Sequence, residues 1–295
     1  MEQLRRRGRL GNHGHGDLHP ADAKCRRRCG YDYLLLDESL DQELKENPVS
    51  KRVVYWSVLL APEMNWLAVH SLLKVAIFAG ARGFVPLFVP VTRVERARNR
   101  LASLFLAQPG GPDDLLVMLD ADHQHPEDVV VRLARHDVDV VGALAFQRTP
   151  PYRPCVHLKK PDGCYVFPAD CSPEKGLVEC AFVGMGAIAI KRRVFQQLQA
   201  KGFAFPWFRH AYPVNQPDRP RMEGDPPPGE EPVSSGEDVY FGRLCELAGI
   251  PHYCDFSLVT PHIAEFTVDT ETWAGWQKHL EQSGRSPSGV GGVEV

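Results

Sequence analysis

An α/β fold with a mostly parallel central sheet is predicted, on three observations. Apolar segments of strand length alternate through the first half of the chain with segments of helical periodicity. The strand candidates are nearly continuous apolar runs, as strands covered on both faces must be. Prolines and glycines fall at the boundaries between them.

Each element can be justified in turn. Val53 to Leu60 is rich in β-branched and aromatic residues and reads as a buried central strand, ended by Pro62. Asn65 can cap a helix to about Ala79, with Leu72, Leu73, Ala76 and Ile77 at helical spacing. Gly80 and Gly83 stop it. Phe84 to Val89 is a second short strand, and Thr92 caps a helix from Val94 to Ala107. A Gly110-Gly111-Pro112 turn leads into a third strand, Leu115 to Leu119. Pro126 opens the next helix at a favoured first position, and Val138 to Leu144 is a fourth strand. The second half is less regular. Prolines across 145–176 predict loops with short antiparallel strands. Ala181 to Ile190 is apolar, and a helix starts near Arg192. Residues 209–235, crowded with Pro, Gly and acids, read as a mobile loop. Gly236 to Leu247 is helical and Tyr253 to Val259 is a strand.

Residues 1–50 form an N-terminal extension, partly disordered; 51–282 form the compact domain; 283–295 form a flexible Gly/Ser-rich tail. A formal net charge of −3 gives no general pull toward nucleic acid or anionic membrane. No apolar run approaches the roughly 18 to 20 residues of a membrane span, and no apolar stretch follows the N-terminal arginines, so a cytoplasmic protein is expected. Its eight cysteines should then be thiols. Cys25 and Cys29, among His13, His15 and His19, are either a zinc site or incidental residues of a basic arm.

The sharpest chemical feature is Leu119-Asp120-Ala121-Asp122, where an apolar strand ends on two carboxylates. In parallel α/β sheets ligands bind beyond the carboxyl ends of the strands. Two acids there repel unless a cation joins them, and Mg²⁺ or Mn²⁺ suits oxygen ligands and a diphosphate. Either acid could instead cap the helix at Pro126. In Gly236-Glu237-Asp238, two acids open a helix. One could face a cleft as a proton acceptor, or both could belong to a capping box begun by Ser235. His262 ends a late strand as a possible metal ligand or as a surface residue. Arg96, Arg98 and Arg100 form a solvated helix face, or one of them with Asn99 meets a phosphate or nucleobase.

Taken in order, a first apolar strand, the ARNR helix start, LDAD, the glycine-bearing FVGMGAIAI, GED at a helix start and a strand ending in His resemble the GT-A glycosyltransferases, most of all family-2-type enzymes of bacteria and phages. The resemblance covers roughly residues 52–265. It implies a Rossmann-like GT-A domain with a nucleotide-binding half (51–145) and an acceptor half (146–282) with a smaller antiparallel portion. It implies a nucleotide-sugar donor, UDP- or GDP-linked, and an acceptor that is a glycan, lipid, protein or modified nucleobase. Asp122 and His262 would bind the metal, with Asp120 on the ribose or assisting the metal. Asp238 would be the base of an inverting transfer, held ionised by the helix N-terminus, with Glu237 beside it. Ala61, Pro62 and Glu63 would border the nucleobase, with Arg98, Asn99 and Ala121 near the nucleotide. Gly184, Met185 and Gly186 would line the acceptor side. Trp207 would stack on a sugar ring, or fill the core. The loop 209–235 would close over the donor. The sequence departs from the family in its plain first-strand ending and its acceptor helix. A nucleotidyltransferase is the alternative enzyme, although Leu59 to Met64 has no glycine-rich phosphate loop, and a non-catalytic sugar- or nucleic-acid-binding module is the other.

Overall fold

The computed structural model describes residues 52–61, 63–90, 92–210, 236–264 and 267–283. They belong to the unit Pro48–Val295. The readings made for the N-terminal arm with its cysteines, for Pro62, for 211–235 and for the tail after 283 lie outside these residues.

The strands are β1 (Val54–Leu59), β2 (Val85–Pro86), β3 (Leu115–Asp120), β4 (Val140–Leu144), β5 (Val156–Lys159), β6 (Tyr165–Val166), β7 (Leu177–Cys180), β8 (Phe182–Val183), β9 (Ala187–Lys191), β10 (His252–Val259), β11 (His262–Ile263) and β12 (Thr267–Val268). The helices are α1 (Trp66–Gly80), α2 (Val94–Ala107), α3 (Val129–Arg135), α4 (Arg192–Ala200), α5 (Glu237–Leu247) and α6 (Thr270–Gln282). Seven strands form one mixed sheet in the order β2-β1-β3-β9-β4-β10-β7. β1, β2, β3, β4 and β10 run one way, and β9 and β7 run against them. A small antiparallel sheet, β6-β5-β8, stands beside it. The α/β class with a mostly parallel sheet is thus observed, with an antiparallel strand at its centre that periodicity did not reveal.

Alternation along the strands explains the layers. On β3, Leu116 and Met118 point to one face, where Leu101 and Phe105 of α2, Phe195 of α4 and Phe241 of α5 cover them. Leu115, Val117 and Leu119 point to the other, against Leu72 and Val75 of α1 and Val130 and Leu133 of α3. Both faces of β3 are therefore dry, and the strand can be apolar throughout until Asp120. β9 fits between β3 and β4 for the same reason: Ile188 and Ile190 join the first cluster, Ala187 and Ala189 the second.

Several boundaries differ from the sequence reading. Asn65 caps α1 as expected, its side chain accepting from Leu67 N at 2.8 Å. Thr92 does not cap α2; Arg93 holds that position with no side-chain hydrogen bond. Pro126 lies in a turn closed by Val129 N donating to Pro126 O at 3.1 Å, and α3 starts only at Val129. The second strand shrinks to two residues. α6 was not anticipated; Asp269 and Thr272 make a reciprocal capping box at its start. All six cysteines among the described residues are free thiols. No helix among those residues is long and apolar enough to cross a membrane.

His252, 2% exposed at the start of β10 beside the Phe241 ring, has its basicity pushed down by burial to about 4, against weak opposition from Glu246. Free imidazole in an unfolded chain titrates near 6.5. The unfolded state therefore binds more protons between these values, and stability present above pH 6.5 is lost as pH falls toward 4. The difference corresponds to about 3 kcal/mol at most. His252→Leu is expected to flatten this part of the stability–pH curve in urea unfolding from pH 7 to pH 4. A variant that tracks the parent across the window contradicts the assignment.

Candidate metal centre and cleft

β3 delivers Asp120 to the carboxyl end of the parallel strands, and the chain then turns through Ala121, Asp122 and His123. Backbone hydrogen bonds clamp this turn to the segment after β10. Gln124 N donates to Pro261 O at 2.8 Å and Ile263 N donates to Asp122 O at 2.8 Å. His123 and His262 pair as an isolated β-bridge, and their rings stack with centroids 4.1 Å apart. Asp122 and His262, distant in sequence, are thereby brought side by side.

Asp122, His123 and His262 each offer a ligand atom, all within 4.8 Å of one another. His262 Nε2 is 3.2 Å from Asp122 Oδ2, and His123 Nε2 is 3.7 Å from Asp122 Oδ1. The opposite ring nitrogens are held by backbone carbonyls: His123 Nδ1 by Thr260 O at 2.9 Å, His262 Nδ1 by Phe146 O at 3.0 Å. A carbonyl only accepts, so both Nδ1 atoms carry the proton, and a His123 ring without a second proton turns its Nε2 lone pair toward the carboxylate, while His262 Nε2 is hydrogen-bonded to it. Burial, then the neighbouring His262 and His125, push His123 down to about 3, so that ring is neutral. Burial alone would raise the Asp122 carboxyl; the His262 hydrogen bond, with His123, His262 and Arg148, holds it well below the usual range. The His123 Nε2 lone pair and the Asp122 carboxylate facing one another suit a cation. Exposed Arg148 approaches Asp122 Oδ2 at 3.3 Å and supplies a positive charge at the rim. Two imidazoles and a carboxylate, with the rings oriented from behind by carbonyls, suit a divalent ion such as Mn²⁺ that accepts nitrogen as well as oxygen.

The sequence reading missed His123, although it lies in the same short motif. Gly186 explains why its ring fits: a Cβ there would stand 2.6 Å from His123 Cε1. His125 serves the backbone instead, its Nε2 bonded to Asp120 O at 2.8 Å and its Nδ1 left unpaired; burial pushes it down to about 4.

Asp120 stands outside the three-residue group. Arg98, 2% exposed, reaches it with Nη2 at 3.0 Å from both carboxylate oxygens. The same guanidinium donates through Nε to Glu237 Oε1 at 3.3 Å and through Nη1 to Met185 O at 3.2 Å. Burial, with the Asp122 and Glu237 charges, pushes Asp120 up to about 6 against the pull of Arg98. Arg98, Asp120, Ala121, Asp122 and Glu237 line a cleft of about 360 Å³ together with Ala61 and Leu59. Asp238 turns back on its own helix start, its Oδ1 accepting from Val239 N at 2.8 Å. Its carboxyl is raised rather than lowered, by burial first and by Glu237 second, which corrects the expectation that the helix terminus would dominate.

Other expected site residues are placed elsewhere. Asn99 does not face a nucleobase: its Oδ1 accepts from Trp207 N and Phe208 N at 3.0 and 3.1 Å, and its Nδ2 donates to Glu95 O and Phe208 O at 2.7 Å. Trp207 is 1% exposed against Phe195, so it fills the core and is not a sugar platform. Gly184, Met185 and Gly186 are buried. Gly184 makes room for Cys155, whose Cβ would lie 2.6 Å from an added Cβ, and not for a ligand. Glu63 is exposed and lies outside the cleft lining, whereas Ala61 lines it.

No protein-family profile matches this chain, and no curated protein is significantly similar to it.

Mn²⁺ is expected to bind in calorimetry without nucleotide, and Asp122→Ala or His262→Ala to weaken binding by more than about tenfold. Gly186→Ala should do the same by displacing the His123 ring. Unchanged affinity in Gly186→Ala removes His123 from the site.

Proposed function

We propose that this protein is a metal-dependent glycosyltransferase of the GT-A type, which moves a sugar from a nucleotide donor to an acceptor hydroxyl. The observation that carries the reading is the meeting of Asp122 with His262 at the carboxyl end of a central strand, next to a cleft whose buried arginine holds Asp120 and Glu237. Ligands of open α/β sheets bind at that end.

A divalent cation held by Asp122, His262 and His123 would neutralise charge gathering on the leaving nucleoside diphosphate. Arg98 fixes the Asp120 carboxylate at the cleft wall, where it can accept from a ribose hydroxyl. The same arginine offsets part of the repulsion between Glu237 and Asp120, so two acids can share a narrow space. Asp238 is the proposed base. Its raised basicity favours taking the proton from the acceptor hydroxyl as that oxygen attacks the anomeric carbon from the opposite face. One displacement inverts the anomeric configuration.

A panel of nucleotide sugars with Mn²⁺, scored for released diphosphate, tests the reading. One donor is expected to be turned over, with activity lost in EDTA and in Asp122→Ala. Asp238→Asn should bind that donor normally and lose about 100-fold or more in transfer. Turnover that survives EDTA, or Asp238→Asn at parental rate, contradicts the scheme. Release of pyrophosphate in place of a nucleoside diphosphate would favour a nucleotidyltransferase.

A further inference from the structure

A second groove, about 1220 Å³ in volume, runs along α2 and shares Pro90, Thr92 and Val94 with the cleft. Residues three and four apart share a helix face, so Arg96, Arg100 and Ser103 stand in one row along its wall, with Arg93 preceding them at the helix start. The helical rise sets the three arginine positions about 4.5 and 6 Å apart along the axis. All three are exposed, whereas Arg98 on the inner face is buried. No carboxylate among the described residues lies within ion-pair distance of these three. Arg209 and His210 add further basic groups to the lining. The one acid in the lining, Glu95, faces His210 at 3.7 Å. Also in the lining, Phe205 is 49% exposed and braced edge-on by the buried Trp207, 5.4 Å away.

We propose that this groove binds an acidic saccharide chain, one that carries a carboxylate or sulfate on successive sugars. Arginine forks match planar carboxylates, and the row repeats at about the length of one sugar ring. Phe205 offers a single flat apolar face, the size of the C–H face of a sugar. A single-stranded nucleic acid needs several such faces for successive bases, and the lining exposes one large ring. The chain's net charge of −3 also gives no wider field for a dense polyanion. That this saccharide is the acceptor rests on the glycosyltransferase reading, because the groove opens beside the proposed donor cleft. That it binds does not.

The test is fluorescence anisotropy with a labelled oligogalacturonate, in EDTA and without nucleotide. The acidic oligomer is expected to bind, and its neutral methyl ester to bind about tenfold or more weakly. The exposed pair Arg96→Glu/Arg100→Glu should weaken the acidic oligomer by a similar factor. Absent binding, equal affinity for the ester, an unchanged double variant, or tighter binding of a single-stranded oligonucleotide of equal charge each overturns the proposal. If the double variant does not fold, the comparison of acid and ester on the parent chain decides. With no metal or donor present, a failure of sugar transfer leaves this result standing. A failure here with Mn²⁺ binding intact overturns the groove alone.

Discussion

The site depends on one constraint: two imidazoles whose far nitrogens are engaged by Thr260 and Phe146 carbonyls present their near nitrogens to the same carboxylate. Such a cluster gathers two ring nitrogens and a carboxylate at one point. Its donor atoms converge closely enough for one cation to share them. The fold maintains it because backbone bonds between the 122–124 turn and the 261–263 segment set the positions before any side chain is considered.

The second tie is Arg98. It joins an acid from the end of β3 to an acid from the start of α5, two elements from opposite halves of the chain. A buried guanidinium with two carboxylates and a carbonyl has its donors directed at fixed acceptors, so its geometry is set. Removing one partner would leave charge buried and unpaired, which is costly. Cleft and metal centre are thus coupled through Asp120 and Asp122, two residues apart on one turn.

The strands and helices of the first half were largely legible, because burial on both faces leaves an apolar run and helix boundaries carry glycine, proline or a capping Asn. The central β9 was not: an apolar run reports burial, not direction, and its antiparallel insertion depends on partners far away. α6 carries its signal in the Asp269–Thr272 box before Trp273, Trp276 and Leu280, a weaker cue than an apolar strand run. At the site, the strand ends singled out Asp122 and His262 separately, and only the family resemblance paired them. His123 was harder, because a histidine following two acids reads as part of a turn until Gly186 is seen to admit its ring. Gly184 and Gly186 misled for a related reason: a missing Cβ marks a close approach without saying what approaches. Asn99 misled, and Trp207 stayed open between sugar ring and core, because burial of a polar or aromatic residue follows from tertiary contacts that spacing does not encode.

The most direct measurement is anomalous scattering from a crystal of the protein grown with Mn²⁺ and UDP. The account predicts a single strong peak bonded to Asp122 and to the Nε2 atoms of His123 and His262, with the diphosphate on its open side. A peak on other residues, or none at saturating Mn²⁺, would contradict it.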